Sequence, residues 1–352
     1  MILAVLQLAA AAAGFEADAL RAVEAHRAAA DLPGVTAAIA VDGQLVFAGA
    51  AGMADRQSER VMTSDTPIYA GSVSKVFTAV LVLQAVEADA VSLDSSANLG
   101  GPVDQATVFD LLTHSSGLPR EGNFNYWFTG RFPDQPELDR YLEEQSLRFS
   151  PGAELAYSNI GYAALGRLLE RQSGQSYAAL LEERIVRPLA LTSTGAAAPP
   201  GDLSRGYTPR DRIIPNASRP FAGVGEAVGD RHLREYHDAA SITPAFGIHS
   251  NARDLAIFGA ALVAEESTLL SAESRRRMLS PQRFGRGLGL RIENLGGRQV
   301  ARHSGWFAAH RSQLLLDDEA NISIAVLTNS DDGNPHTLVD ELYRLAIGAG
   351  DE

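Results

Sequence analysis

"YAGSVSKVFTA", residues Tyr69 to Ala79, holds the one lysine of a 352-residue chain, Lys75. The chain carries 30 basic side chains, so the other 29 are arginine. Arginine stays protonated at any accessible pH, whereas a buried lysine can lose its proton and work as a base. A site that needs a neutral amine can use only the lysine. Ser72 stands three residues earlier, and if "SVSKVFTAVLVLQAV" is a helix beginning there, the hydroxyl and the amine share a face. Ser72 would then also sit among unpaired backbone N–H groups, at the positive end of the helix dipole. A hydroxyl beside a base is an activated nucleophile. The pattern S-x-x-K arises by chance in many helices, so its weight depends on the rest of the chain.

The composition narrows the classes of partner. The 43 acidic residues give a net charge of -13, which argues against nucleic acid or anionic lipid. Cysteine is absent, which excludes disulfides, thiolate catalysis and cysteine-based metal sites. Residues 1–13, "MILAVLQLAAAAA", form an apolar run too short to span a bilayer. The run looks like the apolar region of a secretory signal ending in small residues, although no Lys or Arg precedes it. A periplasmic or secreted protein is the expectation, with no membrane span in the mature chain; a plain N-terminal helix is the alternative.

Strand signals lie at both ends of the sequence. "VTAAIAVDGQLVFAGAAG" gives two strands around an Asp42-Gly43 turn, after an amphipathic helix over Glu16–Ala30. Near the other end, "GLGLRIEN", "RQVARHSG", "RSQLLLDD" and "ISIAVLTN" are short strands separated by turn signals, and "HTLVDELYRLAIG" closes as a helix. Between them, Val76 to Arg234 reads mainly as helices and loops, and Ala196 to Pro244 as Gly-, Pro- and Ala-rich surface loop. The plan is α+β: an antiparallel sheet built from both termini and flanked by helices, over 14–80 and 235–352, with a mainly helical inserted region at 81–234.

Two further segments join Ser72 and Lys75. "FSPGAELAYSNIGYAALG" contains Tyr157-Ser158-Asn159, and "ARHSGWF" contains His303-Ser304-Gly305 at the end of an expected strand. In isolation Tyr157 and Asn159 would read as a turn and a helix cap. In this order and spacing, with "LLTHSSGLP", "FGIHSNARDLAIF" and "GRGLGL", the chain resembles the serine β-lactamase and penicillin-binding hydrolase superfamily. The likeness runs from about Leu32 to Leu345 and points to the branch of class C β-lactamases, D-peptidases and related esterases.

The resemblance implies a β-lactamase/transpeptidase-like fold and a role for each matching residue. Ser72 is the acylated nucleophile, Lys75 its proton acceptor or the group that lowers its pKa, and Tyr157 a second acid/base. Which of Lys75 and Tyr157 takes the serine proton stays open. Asn159 hydrogen-bonds Lys75 or the substrate amide, and the backbone N–H groups of Ser72 and Trp306 form the oxyanion hole. His303, Ser304, Gly305 and Trp306 line the substrate site. His303 stands where many relatives have lysine, and an imidazole is a weaker, pH-dependent anchor for a carboxylate. That favours peptidase and esterase chemistry over dedicated β-lactam hydrolysis. No cofactor and no metal are implied.

Other residues read more plainly. His114 is structural, ending a helix before a turn, and Asp254 is a helix-start acid. Trp127 reads equally as cleft wall or core. His232 and His237, five apart, share neither a helix face nor a strand face, so no metal pair is read. The loops Glu121–Glu137 and Ala196–Ala240 are expected to shape the pocket. The function expected is a serine hydrolase acting through an acyl-enzyme on an ester, a D-amino-acid peptide or amide, or a β-lactam. An acylatable, non-catalytic penicillin-binding or sensor protein is the alternative. The partner is a small molecule or peptide, and the oligomeric state is not legible.

Overall fold

The computed structural model describes residues 2–121, 126–196, 201–212, 224–234 and 238–348. Seven strands form the main sheet: β1 (Gly34–Val41), β2 (Gln44–Asp55), β3 (Arg60–Val61), β4 (Arg291–Leu295), β5 (Arg298–Phe307), β6 (His310–Asp317) and β7 (Ile322–Thr328). Their order is β3-β2-β1-β7-β6-β5-β4, and every neighbouring pair is antiparallel. The two ends of the chain meet where β1 pairs with β7, Val35 opposite Thr328 and Val41 opposite Ile322.

The central strands are short runs of small and β-branched residues because both of their faces are covered. On one face, Val35, Ala37 and Ile39 of β1 and Ile324 and Val326 of β7 pack against two terminal helices, α1 (Ile2–Ala29) and α5 (Pro335–Gly348). On the other, Ala38, Ala40, Ala325 and Leu327 meet Leu255 and Phe258 of α4 (Ala252–Val263). A one-residue slip of register would exchange the two sets, and each large side chain buried here contributes about 1.5–3 kcal/mol. The alternation therefore fixes the register.

Beneath α4 lies α2 (Ser74–Glu87), in which every residue from Ser74 to Leu83 is buried. A helix buried on all sides belongs to the core. It packs in one continuous cluster with α3 (Asn159–Ser173) and the short helices of residues 108–181. The only lysine is thereby carried into the interior.

One expectation is revised. The stretch expected as surface loop holds a three-stranded antiparallel sheet of Gly206–Pro209, Val224–Val228 and Arg231–Arg234. These strands lack apolar alternation and are held by distant partners. Arg231, which is buried, bonds Asp332 at 2.8 Å and the Asp31 carbonyl at 2.9 Å, and Tyr207 Oη accepts from Arg56 N–H at 2.7 Å. At the N-terminus, the apolar run and the amphipathic segment share one continuous helix. Among the described residues no helix is long and apolar enough to cross a membrane.

Candidate active site

The turn before α2 is pressed against the edge of the sheet. Ala70 N–H donates to the Ile248 carbonyl at 2.9 Å, and the Ala70 carbonyl accepts from Ser312 Oγ at 2.6 Å. Gly71 has φ of +53°, and a Cβ there would lie 2.4 Å from Trp306 N; a Cβ on Gly305 would lie 2.0 Å from the Ala70 carbonyl oxygen. Only glycine permits this approach of two backbones. It sets the backbone N–H of Trp306 beside the residue preceding Ser72. Ser72 lies in a 3₁₀ turn, Gly71–Val73, and the α-helix proper begins at Ser74 rather than Ser72. Residues three apart eclipse in such a turn, so the expected pairing survives.

Lys75 Nζ stands 3.2 Å from Ser72 Oγ, 2.7 Å from Asn159 Oδ1 and 2.7 Å from the Ala245 carbonyl oxygen. Asn159 Nδ2 donates to Glu121 at 2.7 Å. A carboxylate can only accept, so Glu121 fixes which way the amide points and turns Oδ1 toward the lysine. Both short contacts of the amine are thus to pure acceptors. A neutral amine satisfies them with its two N–H bonds and keeps its lone pair for the Ser72 hydroxyl. Lys75 is fully buried. Burial holds it well below the ordinary lysine value; the Glu121 carboxylate opposes the shift and Arg120 adds to it.

Tyr157 and Asn159 are placed by the segment 114–121. Ser158, not Asn159, caps α3, its Oγ accepting from Gly161 N–H at 2.9 Å and donating to the Pro119 carbonyl at 2.8 Å. Asn159 N–H donates to the Arg120 carbonyl at 2.9 Å. Tyr157 lines the same cavity as Ser72, and Lys75 Nζ lies 4.8 Å from its ring centroid. Burial pushes the phenol up to about 12, against the neighbouring Ser72 hydroxyl and the Arg120 and Arg286 charges that pull it down. The phenol is therefore protonated near neutrality.

On the opposite wall, the His303 ring is 6.3 Å from that of Tyr157, centroid to centroid. Nδ1 lies 2.7 Å from the Ser304 carbonyl oxygen, which can only accept, so Nδ1 carries the proton and Nε2 is bare. Burial first, and the neighbouring Lys75 second, push the imidazole down to about 3, so it is neutral across the physiological range. Its strand is anchored from the other face by Arg302, which bonds Asp340 at 2.9 Å and pairs with Glu293 at 2.8 Å.

Ser72, Tyr157, Asn159, His303, Ser304, Gly305 and Trp306 all line one cavity of about 460 Å³. Lys75 lies behind it. Trp127 forms its wall, 5.2 Å from Trp306 and 5.3 Å from Phe246, so of its two readings the cleft wall holds. Among the described residues of 196–240, none lines this cavity; residues 197–200, 213–223 and 235–237 of that loop lie outside the described residues. Asp254 starts α4 and bonds Ser193 N–H at 2.8 Å and Thr194 Oγ1 at 2.9 Å, a structural role. His232 Nδ1 lies 3.2 Å from the Gly225 carbonyl oxygen; His237 lies outside the described residues.

Two residues escaped the sequence reading. Glu121 orients Asn159 from 38 positions away, and no local spacing announces such a partner. His114 does end a helix, and its imidazole also accepts from Ser158 N–H at 3.1 Å and packs on Tyr157.

Ser72, Lys75 and Tyr157 thus come together where the helices meet the sheet. A sequence profile for the Beta-lactamase family matches residues 20–349, and the chain belongs to this family of serine hydrolases. Among curated proteins it is 26% identical over 343 residues to a D-aminopeptidase of Brucella anthropi, covering 90% of this chain and 59% of that protein. It is 28% identical to a D-aminopeptidase of Brucella canis, covering 90% and 60%. The chain thus spans about three-fifths of the length of the curated relatives it matches. Among solved structures, the octameric penicillin-binding protein homologue from Pyrococcus abyssi has a TM-score of 0.77 at 26% identity, over 93% of this chain and 76% of that one. The D-amino acid amidase from Ochrobactrum anthropi SV3 has a TM-score of 0.82 at 23% identity, over 96% and 100%, a likeness of fold.

Proposed function

We propose that this chain hydrolyses amide bonds of D-amino-acid amides or short D-peptides through an acyl-enzyme on Ser72. The observation that carries the reading is the pairing of Ser72 Oγ with a fully buried Lys75 whose other contacts are both acceptors. Lys75 takes the Ser72 proton as Oγ attacks the carbonyl carbon. The backbone N–H groups of Ser72 and Trp306 hold the oxyanion, where each donor is worth about 2.7–4 kcal/mol. Tyr157 gives its proton to the departing nitrogen as the C–N bond breaks, and the proton held on Lys75 restores the phenol. Water then attacks the Ser72 ester, its proton passes to the same base, and Oγ leaves reprotonated.

This assigns the acylation base to lysine. Its amine is shifted toward neutrality while the phenol is shifted away from ionisation. The preference for amides over β-lactams draws on the names of the relatives and on His303. A bare Nε2 presents a hydrogen-bond acceptor, which suits a substrate N–H group and not a carboxylate. The test is a rate panel of D- and L-alanyl p-nitroanilides, p-nitrophenyl acyl esters and nitrocefin, run beside Ser72→Ala. Turnover of the D-anilide ahead of the L-form and of nitrocefin, abolished in Ser72→Ala, is the expected result. A single burst without turnover on every substrate would instead make the protein an acylatable binder.

A further inference from the structure

We propose that His114 is a positioning residue for Tyr157, holding the phenol in the cavity it shares with Ser72 by clamping the backbone on both sides of it; this rests on the reading of Tyr157 as the proton donor. The residue before Tyr157, Ala156, donates its N–H to the His114 carbonyl at 2.8 Å. The residue after it, Ser158, donates its N–H to His114 Nδ1 at 3.1 Å. Between these two bonds the imidazole lies against the Tyr157 ring, with centroids 4.3 Å apart and planes inclined by 33°. One residue therefore fixes the position of Tyr157 along the chain and the direction of its ring.

The backbone of His114 is shaped for this. It sits at φ of +59°, in the left-handed region, directly after the short helix Val108–Leu112 and its capping residue Thr113. That conformation turns the carbonyl and the side chain toward the same neighbouring segment. The Ser158 N–H is a donor, so Nδ1 must be unprotonated, and in the neutral ring the proton is on Nε2. Burial at 3% exposure keeps the ring neutral, so it meets the phenol as an uncharged surface on a ring that Lys75 and Arg120 also approach. A ring that merely filled space would need no acceptor at Nδ1.

Two variants separate acceptor from ring. His114→Phe keeps an aromatic face and leaves Ser158 N–H unpaired. His114→Asn places an oxygen acceptor near the Nδ1 position, and asparagine tolerates the left-handed backbone. With a D-alanyl anilide as substrate, His114→Phe should lose about 10- to 100-fold in kcat, as a displaced catalytic group does. Its KM should stay within about threefold, because the lost placement is felt in the transition state. His114→Asn should retain kcat within about fivefold. Tyr157→Phe is measured alongside. If it is inactive while a folded His114→Phe keeps wild-type kcat, the positioning role is overturned alone; if Tyr157→Phe is fully active, the underlying reading fails and takes the proposal with it. Nitrogen NMR of histidine-labelled wild type needs no variant to fold: the expected signal is a His114 ring protonated only at Nε2, and a proton on Nδ1 would overturn the clamp.

Discussion

Lys75 Nζ lies 2.7 Å from Asn159 Oδ1, and the far side of that amide is held by Glu121, also at 2.7 Å. The relay means that an acidic side chain acts on the lysine through an oriented amide instead of touching it. Direct contact would stabilise the ammonium form, whereas the amide supplies an acceptor without a full charge. On the proposed mechanism, this arrangement keeps the amine available as a base.

Lys75→Arg should be nearly as damaging as Lys75→Ala. The guanidinium preserves charge but cannot accept the Ser72 proton. Both variants should fall by about 100- to 10,000-fold in kcat/KM, the usual cost of losing a general base. Steady-state rates with circular dichroism to verify folding decide the matter, and a rate for Lys75→Arg within tenfold of wild type, about one decade, would reduce the lysine to a source of charge.

Asn159→Asp tests the relay. A carboxylate in place of the amide favours the charged amine and raises the Lys75 pKa by roughly 1–3 units. Activity needs the neutral amine, so the acid limb of the kcat/KM profile should move to higher pH by a similar amount. An unmoved limb would detach Asn159 from the lysine.

In wild type, protonation of Lys75 as pH falls is the step that removes activity, so the profile should rise with pH along a single limb. His303, pushed down to about 3, should add no inflection between pH values of about 5 and 8. Tyr157, pushed up to about 12, should give no alkaline loss through the ordinary tyrosine range near 10, about two units lower. A bell-shaped profile with an inflection that disappears in His303→Gln would show that His303 titrates.

The lysine was legible because it is unique, and β7 because "ISIAVLTN" carries the β-branched pattern of a buried strand. The Asp42-Gly43 hairpin announced itself through its turn. Glu121 and His114 were not legible in their roles, since each acts on a segment 38 or 44 residues away through tertiary contact. The small sheet at 206–234 was hidden for a related reason. Strands such as "GYTP" and "RHLR" carry no alternation, and an ion pair between buried Arg231 and half-buried Asp332 helps hold them. Local pattern reports local structure, and these contacts are long-range.

Gly71→Ala should disable the site while leaving the rest of the fold intact. The new Cβ would overlap Trp306 N, 2.4 Å away, at a φ of +53° that alanine resists. The local strain is about 1–3 kcal/mol, read as a lowered melting temperature. The kcat should drop with the oxyanion donors displaced, by about 10- to 1,000-fold. A variant of full activity would show that the Trp306 N–H takes no part.

The central claim is that Ser72 forms the covalent intermediate, and peptide mass mapping after treatment with a fluorophosphonate addresses it most directly. The account predicts one modified peptide, spanning Tyr69 to Ala79 with the adduct on Ser72, and no label on Lys75→Ala within the same interval. Labelling of another serine, or equal labelling of Ser72→Ala, would contradict it.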